Sequence, residues 1–531
     1  MLINSLEFLM FIIITILIYV VSPKKFKWAV LLLASYIYYF LNSTYLIIFI
    51  LLTTISIYLT ALKIGKIEEK TKLQVKEIDN KDEKKKIKQK AKSNKKKILA
   101  LGIILNLLIL AILKYSGFIG ENVNSLLKIL KLNKQIPINN FILPLGISYY
   151  TLQAISYMVD VYRGKVKADT NLGRVALFLA FFPQLVQGPI GRYDRLAKNL
   201  YLPHRITYKN LTFGSQLMLW GYFKKMVIAD RVAMYVNEVF ANYEMYSGLI
   251  IVLAIVGYTL QIYAEFSGGI DIVRGVSGIF DINLDTNFER PFFAKSVDEF
   301  WRRWNITLGT WLKDYVFYPV SLSRLSMKIT EKSKKVFKRS YLSKIVPIAF
   351  SLLCVWLSNG IWHGAGFKYI VYGLYYYIIM MLGKILEPFG NKILYILKIN
   401  TKVWSYRFWQ ILRTDMFVCI GMLIFRAENL KIALKIFESI FKIHNLELIF
   451  NGQGFLLGGL NPGDIVIIVI ATMILLITSI YKEKGKNIRE WLANQNLIFR
   501  WAVLYFVIFS IIIFGIYGEG YNIQSFIYGQ F

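Results

Sequence analysis

The chain has 531 residues, 56% of them hydrophobic and 16% aromatic, and its 64 Lys and Arg against 32 Asp and Glu leave a net charge of +32. Apolar runs this long and this frequent exclude a soluble globular domain, and short alternating strands of the barrel type are missing. So basic a chain would suit nucleic acid, but the lysines gather in loops between apolar runs, which excludes that reading in favour of topology signals and contact with anionic lipid.

A helix that crosses the hydrocarbon core needs roughly 20 mostly apolar residues. Such runs lie at 5–22, 26–42, 44–62, 98–115, 139–159, 247–264, 345–361, 365–387, 409–425, 463–481 and 500–517, with broken candidates at 174–191 and 208–236. The predicted fold class is all-α: a polytopic membrane protein of about 11 transmembrane helices, plus re-entrant and interfacial helices, around a central tunnel.

In chain order, the first run lacks a basic n-region and a small-residue cleavage site, so it reads as a retained span. Segment 63–97 holds 15 Lys and 6 acidic residues. It is expected to be a cytoplasmic loop, either a solvated charged helix or partly disordered. Residues 117–136 mix polar and apolar character and suit a surface segment. Basic loops recur at 321–344 and, more weakly, at 482–500, and a long polar stretch spans 426–460. With 63–97 inside, the three spans before it put the N-terminus outside, and the loop before 500–517 puts the tail 518–531 outside as well. Two outside termini demand an even number of crossings, so the list of 11 contains one span too many or one too few. No internal repeat is visible, and a single membrane-embedded domain over 1–531 is expected. Cys354 and Cys419 lie in predicted spans without metal-ligand spacing, and His204, His363 and His444 are too scattered for a zinc site; no bound metal is expected.

Two apolar segments carry Pro, Gly and polar groups together: Phe181-Phe182-Pro183-Gln184-Leu185-Val186-Gln187-Gly188-Pro189 and Ser358-Asn359-Gly360-Ile361-Trp362-His363-Gly364. Irregular backbone at membrane depth survives only inside protein or along a wet cavity, and polar groups there point to function. His363 follows the run 345–361, with Gly360, Gly364 and Gly366 around it. Two readings stand at this point. It is a histidine at a helix end, held by backbone, or a general base with small neighbours that let a substrate approach. Upstream, Trp301, Trp304, Leu308, Trp311 and Tyr315 follow spacings of 3, 4, 3 and 4, which predicts one interfacial helix with an aromatic stripe. Arg302 and Lys313 fall on one side of that helix, and Asn305 at the edge of the stripe. A structural interface helix accounts for this pattern, and so does a site.

Together these segments resemble the signature of the membrane-bound O-acyltransferase family, whose members carry a histidine in an apolar stretch and a second polar residue tens of residues upstream. His363 matches the first and Asn305 the second. The stretches Leu143-Pro144-Leu145-Gly146-Ile147-Ser148-Tyr149-Tyr150, Tyr157 to Gly164, Phe181 to Ile190 and Gln261 to Gly268 resemble the alginate O-acetyltransferase-like bacterial branch. So does Phe425-Arg426-Ala427, and the ending Phe526-Ile527-Tyr528-Gly529-Gln530-Phe531 resembles a Phe-x-Tyr-x-x-Phe tail of that branch. Two departures are visible: Asn305 stands where histidine is usual, and Glu265 where aspartate is commoner. Asparagine cannot be a base, so Asn305 is expected to orient groups or to donate to an oxyanion.

The resemblance implies an O-acyltransferase, for acetyl by family habit. It would draw an acyl thioester (acetyl-coenzyme A or an acyl carrier) from the cytoplasm and work without a tightly bound cofactor. His363 would be the base, Asn305 its helper, and Tyr528 an acyl relay, since a phenol with a pKa of about 10 leaves more readily than an alkyl alcohol. Arg302 and Lys313 would meet donor phosphates. The implied setting is a bacterial plasma membrane, the acceptor an extracellular or cell-wall polysaccharide, and the partner an extracellular transferase of the SGNH-hydrolase type, with no role for nucleic acid. A protein or lipid acceptor keeps the same chemistry. A transporter shares the midplane polar groups but would call for an inverted repeat.

Overall fold

The computed structural model describes residues 1–132, 134–138, 141–185, 187–338, 340–442, 447–448 and 451–517. It is helical almost throughout, and the β-type pairing among the described residues is an isolated bridge between Phe288 and Trp304. Among the described residues, eight helical stretches are long and apolar enough to cross a membrane. This is an all-α polytopic membrane protein. Eight stretches stand against 11 apolar runs partly because the runs at 26–42 and 44–62 join one stretch, Lys24–Glu77, with a break at Thr44, whose φ is 39°. The runs at 5–22 and 139–159 form helices of only 16 residues, Leu6–Val21 and Ile147–Tyr162.

The described chain packs as two compact units, Met1–Ser215 with Val273–Asp285, and Gln216–Ile272 with 286–517. In the first unit, the basic segment is helix rather than disordered loop. It completes Ile47–Glu77 and begins Lys81–Ile129, the latter 49 residues long. At 1.5 Å per residue that helix runs about 74 Å, more than twice the roughly 30 Å hydrocarbon core. The Asn80 side chain caps its start by accepting from the amides of Asp82 and Glu83. The two helices are tied by Lys95 Nζ to Glu68, 2.5 Å, and Asn106 Nδ2 to Ser56 Oγ, 3.0 Å.

Helix Ile147–Tyr162 is buried on nearly every face. It starts at Gly146, which has φ +68° and lies so close to the Leu185 carbonyl that no Cβ fits. Only glycine tolerates both demands without strain. The Phe181–Pro189 stretch breaks a helix that ends at Ala180, and every described residue in it is buried. Its irregular backbone is therefore satisfied inside protein, for example by Phe182 N donating to Ser35 Oγ at 3.0 Å. His204 also has a structural setting: Nδ1 lies 3.0 Å from Asp281 Oδ2, and Nε2 2.7 Å from the Asn199 carbonyl.

The second unit holds a buried charge network at the π-helical turn Phe223–Ala229. Lys224 Nζ lies 2.7 Å from Asp271, and fully buried Lys225 lies 2.8 Å from Asp230 and 3.5 Å from Glu265. Glu265, longer by one methylene than the usual aspartate, spends that reach on Lys225. Charges without water must be paired in this way. Arg231 pairs with Asp464 and donates to the Phe514 carbonyl at 2.6 Å, anchoring the helices Pro462–Glu483 and Leu497–Phe514. These two helices leave Val466, Val469, Phe506 and Phe509 exposed, as a lipid-facing surface requires.

Candidate functional site

Helix Tyr341–His363 is 23 residues long and ends on His363. It packs against Phe367–Ile396 through a seam with no room for side chains. A Cβ at Gly360 would strike the Tyr369 carbonyl, one at Gly364 the Tyr369 ring, and one at Gly373 the Trp356 carbonyl. The glycines beside His363 therefore serve the contact between two helices, where the sequence suggested substrate access. That seam fixes the helix's rotation and so the direction of the imidazole. His363 is 3% exposed. Its ring is held edge-on between Phe425, 5.2 Å away, and Tyr372, 5.6 Å away.

The opposite wall comes from a broken segment. The sequence predicts one helix through 300–315; instead Val297–Arg303 ends, two residues turn, and Ile306–Leu312 begins before widening into the π-helical turn Lys313–Phe317. The break is Asn305, which holds φ 44° and ψ 54°. Asparagine is among the few residues that enter this left-handed region readily. The aromatic stripe is divided accordingly. Trp301 packs on Tyr376 and Trp356 at 4.7 and 5.1 Å, Trp304 stacks on Phe300 at 5.4 Å, and Trp311 meets Tyr315 at 5.2 Å.

Neighbouring backbone clamps the break. Glu289 N donates to the Arg303 carbonyl at 2.9 Å and Ile306 N to the Asn287 carbonyl at 3.1 Å. Asn287 Oδ1 accepts from both Thr307 N and Thr307 Oγ1, at 2.9 and 2.8 Å. Asn287 thus supplies the cap that Asn305, at the first position, does not. Asn305 is 4% exposed, and its Oδ1 is buried without a hydrogen-bond partner among the described residues. Such an atom costs about 1–3 kcal/mol and calls for an explanation.

Between the two walls lies a cavity of about 520 Å³. His363, Asn305, Arg302 and Lys313 all line it, so it gathers four of the five residues singled out in the sequence. Arg302 and Lys313 are exposed. Arg302 pairs with Asp298, and Lys313 Nζ lies 5.8 Å from the Tyr318 ring centre. Tyr528, the fifth, lies outside the described residues, as does the tail 518–531. The lining also includes Asn359 and Thr310, which sequence reasoning passed over as site residues. Asn359 stands four residues before His363, a spacing that places both on one helical face and was available as a signal.

The profile of the membrane-bound O-acyltransferase (MBOAT) family matches residues 165–331. Over 440 residues the chain is 30% identical to a protein named "Probable alginate O-acetylase AlgI" from Pseudomonas syringae pv. tomato, covering 83% of this chain and 74% of the relative. It is 29% identical to a peptidoglycan O-acetyltransferase of Helicobacter pylori, over 66% of each chain. It is also 29% identical to a teichoic acid D-alanyltransferase of Bacillus subtilis, over 55% of this chain and 71% of that one.

Proposed function

This chain belongs to the membrane-bound O-acyltransferase family and is an O-acyltransferase, and we propose that it passes an acetyl group from a cytoplasmic thioester donor across the membrane for O-acetylation of an extracellular or cell-wall polysaccharide. The observation that carries this reading is the meeting of His363 and Asn305 in one cavity, on walls built by different parts of the chain. The names of the relatives support a polysaccharide or wall-polymer acceptor. Those named for acetyl transfer match with the greater coverage of this chain, which supports acetyl as the group moved.

The reaction runs as follows. An acceptor hydroxyl enters beside His363, and the imidazole takes its proton as the oxygen attacks the thioester carbonyl. The C–S bond breaks, the thiolate receives the proton back from His363, and an oxygen ester and a free thiol remain. The donor is acetyl-coenzyme A or an acyl carrier. Arg302 and Lys313, at exposed positions of the lining, suit its phosphates. Asn305 orients the reacting groups through its carboxamide.

The setting is the plasma membrane of a bacterium, with both termini outside. Tyr528 receives the acyl group there as a phenyl ester, and an extracellular transferase of the SGNH-hydrolase type moves it to the glycan. Mass spectrometry of surface polymers from cells carrying His363→Ala tests the core of the proposal. O-acetylation should be lost at normal protein level, and unchanged O-acetylation ends the assignment. Full transfer by Tyr528→Phe would remove the relay and leave His363 standing.

A further inference from the structure

An acyl-transfer site needs a donor aimed at the oxygen of the carbonyl under attack, because negative charge gathers there in the transition state. Asn305 is the residue the family pattern offers, but its Oδ1 is enclosed and its backbone turns between two short helices. The helix that bears His363 carries another carboxamide. Leu352, Val355, Trp356, Asn359 and His363 line the cavity from that helix, and at 3.6 residues per turn these positions share one face. The adjoining face, Trp356, Gly360 and Gly364, is the one locked against Phe367–Ile396. The lock leaves the Asn359 face no freedom to rotate away.

Asn359 is 5% exposed. Among the described residues its side chain makes no hydrogen bond, so no structural contact accounts for the amide at this position. A polar group at this depth, facing a cavity, marks a functional position. Residues four apart on a helix have Cβ atoms about 5–6 Å apart, close enough to serve the two ends of one reacting group. A single rigid helix also holds such a pair to finer tolerance than a loop does.

We propose that Asn359 donates a hydrogen bond from its carboxamide N–H to the thioester carbonyl oxygen as the tetrahedral intermediate forms. His363, one turn on, takes the proton of the attacking hydroxyl. This rests on the acyl-thioester reading above. In the balanced step, the hydroxyl oxygen bonds to the carbonyl carbon, its proton passes to His363, and the carbonyl π pair moves onto the oxygen that Asn359 holds. When that pair returns, the C–S bond breaks and the thiolate takes the proton from His363. Asn359 is unchanged at the end. Asn305 is left to orient the acceptor, a task that suits the acceptor character of its Oδ1.

The test uses the full chain in native membranes, with thiol release from acetyl-coenzyme A as the readout and chitotetraose as the hydroxyl probe. Asn359→Leu keeps the branched outline and the helix but removes the donor. It should lower kcat by about 10²-fold, the effect of deleting one such donor. Its KM for acetyl-coenzyme A should stay within about 3-fold, and the pH–rate profile should keep its shape because His363 is untouched. Asn359→Ser, which restores a donor of shorter reach, should recover part of kcat and stands in if the leucine variant does not fold. A leucine variant at wild-type kcat, or a serine variant equal to wild type where leucine fails to fold, overturns the inference alone. Equal losses in kcat and thermal stability, with KM and the pH profile displaced together, assign Asn359 to packing and overturn it too. Wild-type membranes that release no thiol overturn the donor reading and this inference together.

Discussion

His363 and Asn305 reach the same cavity from opposite kinds of backbone. His363 sits on the last turn of a long helix whose rotation is set by a glycine seam. Asn305 alone is left-handed within a two-residue break, clamped by Asn287 and the strand-like pairing of 287–289 with 303–306. The first arrangement spends regular structure to aim one side chain. The second accepts local strain, which persists only when its surroundings over-determine it. Strain at a site and rigidity beside it are two routes to the same end, a group held in place before the substrate arrives.

The largest expected effect tests the rigid side. His363→Ala should lower the acyl-transfer rate by about 10³-fold, within the range for loss of a general base. Membrane level should stay near wild type, with only a modest drop in melting temperature from loss of the ring's packing against Phe425 and Tyr372. A rate loss that tracks a melting loss would instead make His363 a packing residue.

Next in size is the seam. At Gly360 there is no space for a Cβ against the Tyr369 carbonyl, so Gly360→Ala should cost about 1–3 kcal/mol by overpacking and turn the His363 face. Thermal melting in nanodiscs would read the first effect and thiol release the second. An unchanged melting curve would mean that the two helices adjust freely, and would remove the rigidity from the comparison.

The strained side is read by a pair of variants at Asn305. Glycine enters the left-handed region freely, whereas alanine pays about 1–2 kcal/mol there. Asn305→Ala should therefore melt lower than Asn305→Gly. Both should lose activity, by about 10-fold, if the carboxamide orients a reacting group. Full activity in Asn305→Gly would reduce Asn305 to a backbone device.

The smallest effects belong to the exposed cations. Arg302→Gln and Lys313→Gln should each raise the KM for acetyl-coenzyme A by only a few-fold, roughly what an exposed ion pair of up to about 1 kcal/mol supplies. The rise should shrink as salt is added. Salt-independent KM values in both variants would take the donor's phosphates away from this part of the lining.

Much of the architecture could be read directly. The apolar runs announced membrane helices, since lipid gives a backbone no other partner. The motif residues picked out His363, Asn305, Arg302 and Lys313, which a single cavity then gathered. The break at Asn305 was not legible, because the 3- and 4-residue spacing of Trp301, Trp304, Leu308 and Trp311 fits an unbroken helix equally well. What interrupts it is Asn287, 18 residues upstream, whose hydrogen bonds to Thr307 take over the cap. The meaning of Gly360 and Gly364 was misread for a similar reason. A glycine shows that something comes close, and the sequence does not say whether that is a substrate or Tyr369.

By itself, then, the sequence determined the solvent this chain lives in, its helical class, its resemblance to an acyltransferase family and its candidate base, His363. Those follow from local properties: side-chain transfer energies, run lengths and residue types in a pattern. The tertiary structure alone decided which polar residues face the cavity, which glycines join helices, and that Glu265 is consumed by a buried ion pair with Lys225. Those depend on which distant backbone arrives at each side chain, and contact across the chain is written in no single stretch of it.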